Sequence, residues 1–387
     1  MNIFIKIKNL INYLGFLLID LLLKGNKNVT PKSLLLIRLD AIGDYVLFRN
    51  FLKIIRESEK YKNYKITLCG NILWKDLADS FDSDVVDNFI WIDRKEFYGN
   101  LLYKHKVLKK IRDIGFEIAI EATYSREILY GDEIIKVSCA KERIGNKGSE
   151  DKHANWKRNL FTDKWYTKLI SPNNQNLFEF EYNKKFYQLL LGIETDIKKP
   201  SIDVTKINYE IPNNRDYIVL FPGVSALKRK WDIKNFGKVA EYIINKTNLD
   251  IVIDGSKKEI NLAKYISNRL NSNRIIITAG KTSLSDMAKL ISGAKLLISN
   301  DTSAVHFSAA VDTKFICISS GVYYSRFHPY PKEIFNKGYY VYPDEIKNSN
   351  KSFEELCELY RFDSNLDINS ISAEEVIKLC DKILNSN

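Results

Sequence analysis

The chain has 387 residues, 45% of them hydrophobic and 28% charged, with a formal net charge of +11. That composition excludes a disordered or fibrous protein, and the length exceeds one small core, so two domains of ordinary size are expected. The positive excess favours an anionic partner, whether nucleic acid, an anionic membrane or a phosphorylated substrate, although a solvated lysine-rich surface gives the same number.

Residues 3–23, IFIKIKNLINYLGFLLIDLLL, open the chain. Lys6, Lys8, Asn9, Asn12 and Asp20 interrupt them, which suits neither a spanning helix nor a cleaved signal peptide. Asn2, Lys6, Asn9, Asn12, Asp20 and Lys24 recur at helical spacing as a narrow polar stripe on an apolar helix. Such a helix fits an anionic membrane interface, with its lysines near headgroups; packing on the protein or on a second copy is the other reading.

A turn at 26–31 leads to a buried strand at 33–39, a loop DAIGD at 40–44 and a helix at 45–57. Strand 65–68, helix 72–80, strand 88–92, helix 101–114 and strand 117–121 follow, an alternation that predicts a parallel sheet. Residues 146–176 have no clean period and read as an excursion or mobile loop, and 179–191 as a helix. Residues 200–214, with two prolines and no periodicity, read as a linker. Strands at 217–221, 250–254, 274–278, 295–299 and 314–319 then alternate with helices at 233–246, 258–271, 283–292 and 304–310. A final helix begins at Ser372, where Ser372 and Glu375 have the spacing of a capping box. The expected architecture is α/β: two facing, doubly wound Rossmann-like domains with a cleft between them, ligands lying outside the carboxyl ends of the strands.

Cys69, Cys139, Cys317, Cys357 and Cys380 form no CxxC pair and no zinc spacing, which predicts reduced thiols in a cytoplasmic protein and no metal site. Four segments carry chemistry. In Arg38-Leu39-Asp40-Ala41-Ile42-Gly43-Asp44, Gly43 permits a sharp turn and Asp44 begins a helix, where it serves either as a general base or as a plain N-cap. In Pro222-Gly223-Val224-Ser225 followed by Lys228-Arg229-Lys230-Trp231, three cations stand at a strand end, placed to neutralise a diphosphate. Ser299 to His306 brings a strand into a helix start through Asp301, Thr302 and Ser303, which suits either an anion site or a simple cap, with His306 adding a proton or positive charge. Ser320-Gly321 and Arg326-Phe327-His328-Pro329-Tyr330 form a further loop after a strand. No dinucleotide fingerprint and no RNA- or DNA-reading motif is present.

The motifs LLLIRLDAIGD (34–44), PGVS…RKW (222–231), SNDTSAVHFSAA (299–310) and SG…RFHPY (320–330), in this order and spacing, resemble glycosyltransferase family 9, the lipopolysaccharide heptosyltransferases; Arg143-Ile144-Gly145 is similar to a further signature of that family. The resemblance implies a GT-B fold and inverting, metal-independent transfer from an ADP-activated heptose, with the nucleotide sugar as co-substrate and no other cofactor. It puts the catalytic aspartate on Asp44. It puts the phosphate-binding cation on Arg229 beside Lys228 and Lys230, the diphosphate loop on Asp301, Thr302 and Ser303, and the family's histidine on His306, with Gly223 and Ser225 on the donor side. Gly43, Glu121, Arg126, Arg143 and Arg326 are candidates for the cleft and the acceptor. Three departures stand out: Ser303 replaces a glycine, Arg229 stands where the family has a lysine, and Glu121-Ala122-Thr123 replaces Asp-Leu-Gln.

The expected organisation is an N-terminal amphipathic helix (1–28), an acceptor domain (29–200), a linker (201–214), a donor domain (215–345) and a C-terminal segment (346–387) whose helix returns to the N-terminal domain. The expected activity is transfer of heptose to a lipopolysaccharide-core or related lipid-linked acceptor. That would occur at the inner face of the cytoplasmic membrane, held by residues 1–25, with no nucleic-acid partner. Transfer of a hexose or N-acetylhexosamine from another nucleotide sugar, and non-catalytic binding of a sugar nucleotide or glycolipid, are the alternatives.

Overall fold

A computed structural model describes residues 3–23, 29–148, 156–172, 176–211 and 215–385, with the side chains of 3–6 left out. The chain forms two compact units, one of Met1–Gln175 with Glu181–Asp196, the other of Asn176–Phe180 with Ile197–Asn387.

The first unit is built on six strands: β1 (Thr30–Arg38), β2 (Lys65–Asn71), β3 (Asn88–Ile92), β4 (Phe116–Glu121), β5 (Glu142–Asn146) and β6 (Lys168–Ile170). All are parallel, in the order β3-β2-β1-β4-β5-β6. Leu34 to Ile37 are buried without alternation, as expected of a central strand covered on both faces. The order reverses between β1 and β4, so the crevice at their carboxyl ends is the natural ligand position of this sheet.

The second unit repeats the plan with β7 (Tyr217–Phe221), β8 (Asp250–Ile253), β9 (Ile275–Ile277), β10 (Leu296–Asn300), β11 (Phe315–Ile318) and β12 (Gly338–Val341). The parallel order is β12-β11-β10-β7-β8-β9, with its reversal between β7 and β10. Its core sets Ile218, Leu220, Ile251 and Ile298 against Phe236, Val239 and Ile243 of the helix Ile233–Lys246.

Several expectations change. The helix expected over 45–57 starts earlier and is broken in two, Ile42–Phe48 and Asn50–Glu57. The described part of 146–176 is structured, with a π-helical turn Arg158–Thr162 and strand β6. The chain passes into the second unit at Ile197, so the irregular stretch after Pro200 already belongs to that unit; Ile202 N–H donates to Ala310 O at 3.0 Å. Its end at 212–214, like residues 26–28 of the turn at 26–31, lies outside the described residues. The C-terminal helix Ala373–Asn385 was expected to join the N-terminal domain. Instead it buries Val376, Cys380 and Ile383 in the core of the second unit, because its apolar face matches the open side of the helix Ile233–Lys246. Ser372 does cap it, Oγ accepting from Glu375 N–H at 3.2 Å.

The N-terminal helix Ile3–Leu22 buries Phe16 and Ile19 in the core of the first unit. The described part of its polar stripe faces inward, the reverse of a helix whose polar side meets solvent. Asn12 is buried, Asn9 accepts from the Tyr98 hydroxyl at 2.5 Å, and Asp20 lies 3.0 Å from Lys136 and 3.8 Å from Arg112. Asn2, Lys24 and the Lys6 side chain of that stripe lie outside the described residues. Among the described residues no helix is long and apolar enough to cross a membrane.

Candidate functional site

In the second unit the loops that follow β7 and β10 lie side by side because those strands are neighbours at the reversal of the sheet. Asn300, the last residue of β10, ties them together: its Nδ2 donates to Pro222 O at 2.9 Å and its Oδ1 accepts from Trp231 N–H at 3.3 Å. The Trp231 side chain is buried, and its indole donates to Ile371 O at 2.8 Å. The loop 222–231 is thus pinned at both ends. Gly223 admits the Glu259 side chain; a Cβ there would lie 2.6 Å from Glu259 Cγ.

Between these anchors, Leu227–Arg229 makes a 3-10 turn that turns Arg229 toward the second loop. Its guanidinium donates to Asp301 O at 3.3 Å and to Ser225 Oγ at 3.2 Å, and lies 3.6 Å from the Asp301 carboxylate. Lys228 turns outward instead, 3.2 Å from Asp363, and Lys230 is half-buried. Of the three consecutive cations, the structure therefore brings Arg229 to the Asp301 loop and commits Lys228 elsewhere.

The helix Ser303–Ala310 begins at that loop. Thr302 is its N-cap, Oγ1 accepting from Ala304 N–H at 3.3 Å, so the capping expected of this segment is present. Ser303 is the first helical residue and is not among the described residues with positive φ, so the backbone there does not require the glycine it replaces. Asp301 is buried. Burial alone would raise its carboxyl, but His328, Arg229 and His306 outweigh that and hold it below the usual range; His328 Nε2 stands 3.5 Å from its Oδ2. His306 goes the other way. Burial lowers it to about 4, against the opposing pull of Asp301, and its Nδ1 shares a hydrogen bond of 2.9 Å with the Tyr330 hydroxyl. Of the proton or positive charge expected of His306, burial disfavours the charge in the protein alone.

His328 stands within a loop motif, and the sequence does not single it out as a site residue. Ser319, Tyr342 and the Val322 carbonyl surround its ring at 3.1, 3.0 and 2.8 Å, and it joins Asp301 to the end of β11. A histidine before a proline carries no sequence signal for this; only the adjacency of β10 and β11 creates it. Arg326, a candidate for the acceptor, is buried, and its Nε donates to Glu179 at 3.0 Å. It secures the segment Asn176–Phe180 to the second unit.

In the first unit the corresponding edge carries the β1 loop and the end of β4. Asp44 stands half-buried in the first turn of Ile42–Phe48. Gly43, expected to be a turn residue, is helical. The loop before it is braced: Arg38 Nε lies 2.8 Å from Asp40 Oδ2, and Asn71 Nδ2 and Trp74 Nε1 donate to Asp40 O at 3.1 and 3.3 Å. Arg94 donates to Leu39 O at 2.9 Å.

The remaining candidates are turned inward. Glu121 is buried at the end of β4. Arg126 is buried against Asp132 and Asp163 over the Tyr166 ring, and Arg143 donates to Trp165 O and Ala140 O, both at 2.5 Å. Among the described residues no group of three or more His, Cys, Asp or Glu side chains is arranged to hold a metal ion.

The sequence profile of glycosyltransferase family 9 (heptosyltransferase) matches residues 105–351. The chain belongs to this family. The matched span contains both loops of the Arg229–Asp301 pairing and begins after Asp44. A lipooligosaccharide heptosyltransferase 2 of Haemophilus ducreyi is 33% identical over 103 residues, which are 26% of this chain and 29% of that relative. The chain thus spans less than a third of the curated relative it matches. A glycosyltransferase family 9 structure from Veillonella parvula superimposes with a TM-score of 0.69 at 16% identity, covering 94% of this chain and all of the other. E. coli heptosyltransferase WaaC with ADP-2-deoxy-2-fluoro heptose gives 0.65 at 12% identity, covering 90% and 99%. At such identities the likeness is one of fold, and the fold is GT-B: two Rossmann-like domains, here preceded by an N-terminal helix.

Proposed function

We propose that the protein is an inverting glycosyltransferase that moves heptose from ADP-heptose to a lipopolysaccharide-core or related lipid-linked acceptor. It would work without a metal ion, at the inner face of the cytoplasmic membrane. The observation that carries this reading is the family match across the two loops that Asn300 ties together. Asp44 takes the proton from an acceptor hydroxyl. That oxygen forms the new bond to the anomeric carbon from the side opposite the nucleotide, and the bond to the diphosphate oxygen breaks with its electron pair. Arg229 and the N-terminus of Ser303–Ala310 receive the departing charge. His306 enters neutral, and a diphosphate beside it would draw a proton onto the ring. Asp301, ionised between Arg229 and His328, holds the guanidinium in place. Transfer of a hexose or N-acetylhexosamine from another nucleotide sugar remains the rival, and Ser303 is the departure that motivates it.

The test is Asp44→Asn, assayed for transfer from ADP-heptose to a core glycolipid with EDTA present. The parent should retain its rate in EDTA. The variant, with an unchanged unfolding temperature, should lose about 10²- to 10⁴-fold in turnover, the usual worth of a general base. A variant as fast as the parent would remove Asp44 from the chemistry, and loss of the parent rate in EDTA would overturn metal independence.

A further inference from the structure

The N-terminal helix shows solvent the side that an amphipathic helix ordinarily hides. Ile7, Leu10, Ile11, Leu14, Leu18 and Leu22 are each between 52% and 67% exposed. Their spacing of three, four and seven residues places them on one face, opposite Asn9, Asn12 and Asp20, which the protein engages. The apolar surface continues on both flanks. On one, Gly15 lets Leu101 pack against the helix, since a Cβ there would lie 2.6 Å from Leu101 Cδ2, and the next residue, Leu102, is 83% exposed. On the other, Tyr13 meets Phe161 edge-on at 6.5 Å, and Phe161, Leu160 and Trp156 are exposed. A contiguous apolar patch of this extent marks an interaction surface.

Charge decides what covers it. Lys106 and Lys109 follow Leu102 by four and seven residues, on the same exposed side of the helix Leu101–Ile114; Lys109 also pairs with Asp113. On the opposite flank the Lys157 ammonium lies 5.6 Å from the centre of the Trp156 ring. We infer that this face docks on an anionic lipid bilayer. The helix lies flat in the interface with its leucines at the acyl boundary, Trp156 sits at headgroup depth, and Lys106, Lys109 and Lys157 lie among the lipid phosphates. The surface deepens the membrane attachment proposed above in two ways: the docking residues extend well beyond the first 25, and the helix meets lipid with its leucines while its polar stripe holds it to the protein. A second copy of the chain is the poorer match, because lysines border both flanks and a two-fold apposition would set like charges against each other. The inference holds whichever sugar the protein transfers.

The test is flotation of the full chain with phosphatidylcholine vesicles, with and without phosphatidylglycerol. The parent should float with the anionic vesicles. A triple variant Leu10→Asn, Leu14→Asn, Leu18→Asn should float about tenfold less or worse while keeping its unfolding temperature, since all three side chains face solvent. Lys106→Glu with Lys109→Glu should abolish the preference for anionic over neutral vesicles. A parent that stays with the soluble fraction, or a triple variant that floats as well as the parent, would overturn the inference. So would sedimentation showing a parent dimer that the triple variant dissociates without any lipid binding, which would assign the face to a second copy. Flotation reads lipid association alone, so its failure is distinct from failure of the transfer reaction.

Discussion

Glu121 and Asp301 are both buried carboxyls at the carboxyl ends of parallel strands, yet the protein drives them in opposite directions. Asp301 has His328, Arg229 and His306 within reach, and their attraction exceeds the cost of burial. Glu121 has a weaker set. Burial raises it to about 7, Asp132 adds to the rise, and the hydrogen bonds from Thr123 and the charge of Arg38 only moderate it. The space is also filled, since a Cβ on Gly131 would come within 2.1 Å of Glu121 Oε2. A carboxyl whose folded value is raised holds its proton more tightly in the folded state. Its contribution to stability is whole below the unfolded value near 4.5 and is lost as the pH rises through about 7. Glu121→Gln keeps an acceptor for Thr123 N–H and removes the titration. Between pH 5 and 8 the parent should lose stability on the order of 2–3 kcal/mol through this group, and the variant should not. Thermal unfolding across that range checks it, and parallel pH slopes would refute it. None of this was legible in the sequence. A letter in a motif gives chemical type but not environment: the pattern offers His306 as a proton or a positive charge and Arg126 and Arg326 as candidates for the cleft or acceptor, and burial is what it cannot show. The place of Asp301 and Thr302 between a buried strand and a helix start was legible, because it is set locally.

At the scale of elements, periodicity reveals that a helix has two faces but not which one the protein keeps. The stripe of Asn9, Asn12 and Asp20 was visible in the sequence; its inward direction depends on Tyr98, Arg112 and Lys136, which lie far along the chain. Strands β5, β6 and β12 escaped the pattern because they are short and lie toward the sheet edges, and Glu142 and Arg143 break the apolar run that marked β1 and β10. The C-terminal helix was correctly placed in the chain and assigned to the wrong unit. Its residence on the second unit has a consequence, because the segment leading into it grips the end of the loop 222–231. Ile371 O receives the Trp231 indole, and Asn369 Oδ1 accepts Asp232 N–H at 2.8 Å. Val376→Asp would bury a carboxylate without a partner against the helix Ile233–Lys246, a change worth about 3–5 kcal/mol. It should lower the unfolding temperature of the second unit and, by freeing Trp231, weaken nucleotide binding. Calorimetry with and without ADP measures both; unaltered ADP stabilisation in a destabilised variant would separate the helix from the donor loop.

At the scale of the molecule, the alternation of strands and helices made two doubly wound units legible, because each buried parallel strand and each amphipathic helix announces itself within a short window. The exchange at 176–180 was not legible. That short segment joins the second unit through contacts more than a hundred residues away in sequence: Phe178 with Tyr330 at a ring separation of 4.4 Å, Glu179 with Arg326, and Leu177 O with Arg361 at 3.0 Å. The choice of nucleotide is likewise a property of the assembled unit. In the proposed reading Arg229 and the N-terminus of Ser303–Ala310 meet a diphosphate, which ADP, UDP and GDP share, so these groups alone would stabilise the protein equally with all three. A preference therefore reports contacts to the base that lie beyond this cradle. A nucleotide at about 100 times its dissociation constant adds roughly 2.7 kcal/mol to stability, and one at a smaller multiple adds less, so a thermal-shift comparison at one common concentration ranks affinity. ADP should raise the unfolding temperature most, and Arg229→Ala should reduce the stabilisation by every nucleotide by a similar amount, because it removes only the shared contact. A larger shift with UDP or GDP would replace the heptose reading with transfer of another sugar. A variant that lost the ADP shift alone would place Arg229 at the base instead of the phosphates.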